Sequence, residues 1–435
     1  MKFSEISGLQ FFQLFRFVSL VFVSILFAKS SLELNAIGNY EIFLFIASSL
    51  SFFWISGVIQ SLLSLFPAKK EAEGEINNNI LFNAFLLLLF FSLLSAFVLL
   101  LFEGYISSYL NHSNSIPYLS LLAVYILLSG PSNLVEYIYL LLRKPKRIVA
   151  YALISYTIHV LFLGIPVFVG LGIRAALYGL LAVTFLRFIW TFREVCRHSQ
   201  LTFSFSFFRT HFKLAYPLIL SALLAGSAQY IDGVIITAKF DASRFAVFRY
   251  GAKELPFVSL LANAFSNAML PEIANNRNRL EHVLAKVKNK SKKLIVLLFP
   301  ISIALLLLSS LLYPLVFSKD FAESALIFDI YLLLILSRLV FPQTLLIAFK
   351  ETQTILFVSL VELMLNVGLS LILVNYFGIV GVAYATVVAY VFEKIILIKI
   401  ILIKFKIKPS AYIPLSQLFF WNLTIILVFL AKMQL

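Results

Sequence analysis

The chain is a succession of uninterrupted apolar runs, each about 20 residues long, separated by short polar connections. Such a run, wound as a helix rising about 1.5 Å per residue, crosses the ~30 Å hydrocarbon layer of a bilayer. Lipid offers the backbone no hydrogen-bonding partner, so a spanning segment must be a helix or belong to a closed barrel. Barrel strands read as alternating segments of about ten residues, and these runs do not alternate. Composition agrees: 61% of the 435 residues are hydrophobic, 13% are charged and the mean hydropathy is +0.99. A soluble domain is about 45–50% apolar and about 25% charged. The sequence therefore specifies an all-α integral membrane protein.

Cutting at the polar interruptions gives spans at 9–29, 39–66, 80–102, 117–142, 149–170, 173–193, 213–238, 245–271, 293–317, 323–349, 353–376, 378–399 and 411–431. The first run carries Arg16 and is not followed by a small-residue cleavage site, so it reads as a retained helix rather than a signal peptide. Connections after even-numbered spans hold 22 Lys and Arg, among them Lys69, Lys70, Arg143, Lys144 and Lys288, against 5 after odd-numbered spans. Cytoplasmic loops carry that excess, which places the N-terminus and the even connections in the cytoplasm. The same asymmetry accounts for most of the net charge of +15, so nucleic acid is not needed to explain it. The longest outer connection, 103–116, is short, and no soluble domain interrupts the series. Cys196 is the only cysteine, which rules out an internal disulfide and a thiolate metal cage. There is no His-Glu-x-x-His, no phosphate-binding glycine loop and no His/Asp cluster of ligand spacing. The expectation is a protein with no catalytic residues, no metal and no cofactor.

The sequence also repeats. Gly172-Ile173-Arg174-Ala175-Ala176-Leu177-Tyr178-Gly179 matches Gly378-Ile379-Val380-Gly381-Val382-Ala383-Tyr384-Ala385 at an offset of 206. Tyr40, Phe43 and Phe45 match Phe245, Phe248 and Tyr250 at 205, and Pro67 matches Pro271 at 204. An even number of helices per copy makes the repeat parallel. The expected architecture is about 12–13 transmembrane helices in two six-helix lobes, residues 1–200 and 201–409, with a central cavity between them, and residues 410–435 form an additional helix. That is a transporter plan, with the basic stretch 194–212 as linker.

Two segments carry a resemblance. Ala264-Phe265-Ser266-Asn267-Ala268-Met269-Leu270-Pro271 is similar to a helix end of lipid-linked cell-wall precursor flippases. Phe248-Arg249-Tyr250-Gly251-Ala252-Lys253-Glu254-Leu255 resembles the start of the same helix in O-antigen-type flippases. Pattern and motifs together resemble the multidrug/oligosaccharidyl-lipid/polysaccharide exporter superfamily, in its polysaccharide transporter branch. The resemblance implies a flippase moving a polyprenyl-diphosphate-linked oligosaccharide across the bacterial cytoplasmic membrane by alternating access.

Charges inside spans cost a few kcal/mol or more at the bilayer centre, so they are the candidate site residues. Arg16 lies within the first span, and Arg338 falls near mid-membrane, about eleven residues before Lys350. A guanidinium stays protonated and offers a planar fork to a diphosphate; the bland alternative is snorkelling. Arg249 and Lys253 share a helix face nearer the outer headgroups, as substrate or lipid contacts. Ser221, Ala225, Gln229 and Asp232 form a small, polar stripe. Asp232 is a candidate for Na+ or H+ coupling or for pairing with Arg249. Glu362 is a second coupling candidate, and His159 a third or a hydrogen-bonded interhelical histidine. Glu136, Arg187, Glu393 and Lys394 sit close to helix ends and are read as snorkelling.

Two other functions are open. A cation-coupled multidrug exporter of the same superfamily would use an acidic cavity. A membrane-embedded polysaccharide polymerase or ligase would need a large outer loop. The topology is directly testable: reporter fusions at Lys146 and Lys288 should read cytoplasmic, and fusions at Asn114, Lys319 and the C-terminal Leu435 extracytoplasmic. Inverted signals at any two of the first four sites would overturn the span assignment.

Overall fold

The computed structural model describes residues 5–65, 79–110, 116–253, 256–275 and 279–434. Pro67, Lys69, Lys70, Asn114, Glu254, Leu255 and Leu435 of the sequence reading lie outside the described residues, as do the side chains of Ala225, Gln229, Ala264, Asn267, Ala268 and Pro271. The described chain is helical, without strands, and packs as two compact units, Met1–Ala246 and Val247–Leu435.

In the first unit, α1 (Glu5–Lys29) packs on α8 (Pro145–Phe168). The second expected span is a bent pair, α2 (Leu34–Ser49) and α3 (Phe52–Leu65), meeting at 43°. A bend in lipid is tolerated only if its freed backbone groups find partners. Here the Leu50 carbonyl accepts from Trp54 Nε1 (2.8 Å) and from Ser95 Oγ (3.2 Å). Helix α4 (Ile80–Leu101), the short α5 (Glu103–Leu110) and the interrupted pair α6 (Leu119–Ser132) and α7 (Val135–Leu141) follow. Then α8 and α9 (Gly172–His198) form an antiparallel hairpin whose ends meet where Lys144 Nζ lies 3.3 Å from His198 Nε2. Asn83 ties the connection after α9 to α4, donating to the Thr202 carbonyl (3.1 Å) and accepting from the Ser204 amide (2.9 Å). Ser204 caps α10 (Phe205–Lys239). This helix lies along α3, and the buried His211 bonds the Val58 carbonyl across the contact at 3.1 Å. Although α10 opens the second sequence repeat, it packs with the first unit.

Helix α11 (Ala242–Gly251) crosses from one unit into the other; α12 (Pro256–Asn275), α13 (Leu280–Val316), α14 (Ala322–Leu332), α15 (Ile335–Arg338), α16 (Pro342–Ala348), α17 (Thr352–Phe405), α18 (Pro409–Tyr412) and α19 (Leu415–Gln434) complete the second. Each expected span falls on one of these helices or pairs. By length and apolarity alone, eight described helices can cross a membrane, or ten counting each bent pair. In that count α17 appears once, yet its 54 residues would reach about 80 Å if straight. It folds back instead. Gly378 breaks it with φ 58°, and Glu351 and Lys404 at its two ends meet at 2.6 Å. Contact with Lys404 and Thr354 holds the Glu351 carboxyl below the usual range.

The parallel repeat is visible in backbone detail. The landmarks Tyr40, Phe43, Phe45, Phe245, Phe248 and Tyr250 are all buried. Gly172 and Gly378, 206 apart, both take positive φ (78° and 58°), a conformation that a side chain disfavours. Helices α7 and α16 end alike, on Arg143 (φ 54°) and Lys350 (φ 63°). Lys144 N bonds Tyr139 O (2.9 Å) and Arg143 N bonds Leu140 O (3.0 Å); Glu351 N bonds Leu346 O (2.8 Å) and Lys350 N bonds Ile347 O (2.9 Å). These are the paired bonds of a Schellman cap, repeated at an offset of 207.

The thirteenth span, α19, docks on α13 through charge as well as apolar contact. Lys432 Nζ lies 2.6 Å from Asp329 Oδ2 and donates to Ser309 Oγ and to the Leu306 carbonyl, and Ser309 Oγ donates to Asp329 Oδ1 at 2.6 Å. Removing one member of a buried pair strands the other, at about 3–5 kcal/mol. Lys432→Met should therefore lower the melting temperature clearly, and adding Asp329→Asn should recover most of the loss. Equal melting for wild type and Lys432→Met would remove this pair as the anchor of the last helix.

Candidate functional site

The first unit holds a polar cavity of about 260 Å³, room for roughly eight waters at ~30 Å³ each. Three elements supply its polar lining. Arg16 comes from the middle of α1, Ser56 and Gln60 from one face of α3, and Asn133, Glu136 and Tyr137 from the break between α6 and α7 and the turn after it. The break follows Pro131, and Asn133 caps it by donating to the Ser129 carbonyl at 2.7 Å. Gln60 Nε2 donates to Ser56 Oγ at 3.0 Å, so the α3 face is already ordered.

Arg16 is accessible within this cavity. Among the described residues, none hydrogen-bonds its guanidinium or approaches it as an ion-pair partner within 4 Å. Glu136 lines the same cavity, buried, and feels both Arg16 and Arg187 electrostatically. Arg187 is fixed between α8 and α9: Nε donates to Ser155 Oγ (2.5 Å), Nη2 to the Ser155 carbonyl (3.3 Å), and the guanidinium lies over the Tyr156 ring at 4.4 Å. The Tyr156 ring in turn meets His159 edge-on at 6.2 Å. His159 is buried and neither ring nitrogen has a hydrogen-bond partner among the described residues, unlike the hydrogen-bonded interhelical histidine the sequence offers as one reading. The buried Glu136 and His159 thus share one electrostatic cluster in the first unit with the cavity-facing Arg16 and the half-buried Arg187.

Two members correct the sequence reading. Glu136 and Arg187 do not snorkel at helix ends. The α6–α7 break turns Glu136 inward, and Ser155 and Tyr156 capture Arg187. In the second unit Glu393 is likewise buried and held, accepting from Gln343 Nε2 (2.7 Å) and Lys394 Nζ (2.8 Å). Gln343 and Glu393 stand at the repeat positions of Glu136 and Arg187, at offsets of 207 and 206. The signal available in sequence was this register: polar residues recur at the same two places in both copies.

The other predicted residues do not line this cavity. Arg338, half-buried at the end of α15, lines a pocket of about 20 Å³ with Ser302, Tyr331 and four apolar neighbours besides Val258, too small for more than a water. Arg249 is half-buried on α11, and Lys253 Nζ lies 4.0 Å from the centre of the Tyr250 ring. Asp232 on α10 and Glu362 on α17 are buried. No group of three or more His, Cys, Asp or Glu that could hold a metal occurs among the described residues.

With this geometry in hand, the fold identifies a class. The chain is similar to a lipid II flippase, MurJ, in an inward closed conformation, with a TM-score of 0.71 at 19% identity over 97% of this chain and 92% of that one. It is also similar to an inward-facing multidrug resistance MATE transporter of the MOP superfamily (TM-score 0.63, 16% identity, 91% and 96% covered) and to a MOP superfamily transporter from Pyrococcus furiosus (0.52, 16%, 90% and 91%). This is the fold of MOP-superfamily transporters and flippases, in a multi-pass membrane protein. Residues 32–326 match the model of the polysaccharide biosynthesis protein family, and the chain belongs to that family. No curated protein sequence matches it.

The cluster makes its own prediction. Arg187→Met removes charge-assisted hydrogen bonds worth about 1.5–3 kcal/mol each and leaves Glu136 short of a cation. Thermal melting should fall, and adding Glu136→Gln should restore part of it. Strictly additive losses would show that the two residues do not interact.

Proposed function

We propose that the protein flips a polyprenyl-diphosphate-linked oligosaccharide across the bacterial cytoplasmic membrane by alternating access, with its N-terminus in the cytoplasm. The observation that carries this reading is Arg16, a guanidinium facing a cavity that it shares with neutral hydrogen-bonding groups, with no counter-ion within 4 Å among the described residues. A diphosphate entering a low-dielectric site needs fixed positive charge, and a guanidinium supplies two parallel bonds without losing its proton. Ser56, Gln60, Asn133 and Tyr137 offer both donors and acceptors, as sugar hydroxyls require. Glu136 adds a polar group to the same lining, within the electrostatic reach of Arg16 and Arg187. We assign Arg338, Arg249 and Lys253 to further contacts with the glycan and the head group. Membership in the polysaccharide biosynthesis protein family and the likeness to a lipid II flippase support the substrate class.

The buried acids Asp232 and Glu362, with His159, favour a second reading, in which Na+ or H+ drives the cycle. A cation-coupled multidrug exporter would share these residues but would not require Arg16, since a cationic drug is repelled by it.

Arg16→Ala should abolish glycan export in a complementation assay at normal protein level, with Arg338→Ala impaired as well. Arg16→Lys should restore export partly, because charge survives without the fork. Wild-type export by both alanine variants, or extrusion of cationic drugs that survives them, would replace this function with the exporter reading.

A further inference from the structure

Apart from the Arg16 cavity, the α8–α9 hairpin carries a second and larger concavity, a groove of about 560 Å³ that Tyr139 of α7 also lines. Its lining changes character from one end to the other. At the end where the two helices meet their basic connections stand Arg147, Arg193 and Arg197; at the other stand Ile158, Leu186 and Ile189. Eleven residues of helix separate Arg147 from Ile158 on α8, and Leu186 from Arg197 on α9, which is about 16 Å. Because the helices are antiparallel, both gradients run the same way. Trp190 lies between the two ends, its Nε1 bonded to Tyr139 Oη at 3.0 Å.

The charge in the groove is largely uncompensated. Glu194 is its one acidic residue among the described lining; it is buried, 3.9 Å from Arg147 and 3.4 Å from His198. Arg193 and Arg197, one turn apart, are exposed and have no acidic partner among the described residues. Leu186 and Ile189 are exposed too, on a spanning helix where exposure means contact with lipid. A free phosphate would fill only the cationic end, and a soluble polyanion would gain nothing from the apolar one.

We infer that this groove is a binding site for an anionic phospholipid. The phosphate head group sits between Arg147, Arg193 and Arg197, and an acyl chain runs past Trp190 onto Ile158, Leu186 and Ile189. Basic pockets between membrane helices hold anionic head groups in this way. The site is separate from the Arg16 cavity and does not depend on which substrate the protein carries.

The test uses the full-length protein in vesicles of phosphatidylcholine containing a minority of phosphatidylglycerol. Phosphatidylglycerol with brominated acyl chains should quench Trp190 fluorescence more than brominated phosphatidylcholine does, and the difference should vanish in Trp190→Phe. In native mass spectrometry, Arg193→Gln/Arg197→Gln should weaken phosphatidylglycerol retention about five-fold per arginine removed, with salt eroding the wild-type affinity. Arg209→Gln/Lys213→Gln, the same charge change on the first turns of α10, should retain the lipid as wild type does. Equal quenching by the two lipids, equal loss in the control pair, or displacement of phosphatidylglycerol by a polyprenyl diphosphate would each overturn the assignment. The last result would give the groove to the carrier lipid.

Discussion

Every feature of this protein is conditioned by the need of a backbone in hydrocarbon to satisfy its own hydrogen bonds. Long helices meet that need automatically, and the chain uses them wherever nothing else is required. Each departure is therefore informative. The bend between α2 and α3 survives because Trp54 and Ser95 reach the Leu50 carbonyl. The interruption at Asn133 survives because its amide returns to the Ser129 carbonyl. Buried Ser291 serves the Leu339 carbonyl near the break after α15 at 2.9 Å. Two of these departures border the Arg16 cavity and the third lies beside Arg338.

The same constraint governs charge. A buried ion is tolerated when another group shares its field, and each unit solves this with a different set. The first gathers Arg16, Glu136 and Arg187 around Tyr156. At the places that correspond to Glu136 and Arg187 the second has Gln343 and Glu393, bonded to each other, with Lys394 also donating to Glu393. Arg16 faces its cavity with no ion-pair partner among the described residues, whereas Gln343 and Glu393 of the second unit are bonded to each other. That asymmetry is why the first unit carries the candidate site.

Much of this was legible in the sequence. Run length gave the helices, and a near-constant offset of 204–206 gave the repeat, because both are one-dimensional signals. Arg16 and His159 were legible as polar groups deep in apolar spans. Glu136 and Arg187 were not, since depth was counted from helix ends and the break at Asn133, with the capture by Ser155, lies outside that count. Asp329 and Lys432 went unread for another reason: they are 103 residues apart, and no local pattern announces the pairing. The lipid groove was invisible because Arg147 and Arg197 read singly as positive-inside loop charges.

The central claim is that a diphosphate occupies the Arg16 cavity. With Cys196, which is exposed, replaced by Ser, a cysteine at Gln60 would report directly from the cavity wall. Its rate of reaction with a small maleimide should fall when a polyprenyl-diphosphate-linked glycan is added, and fall much less with the corresponding monophosphate. The Arg16→Ala background should abolish the protection. A rate unchanged by the diphosphate lipid, or protection that persists without Arg16, would contradict the account.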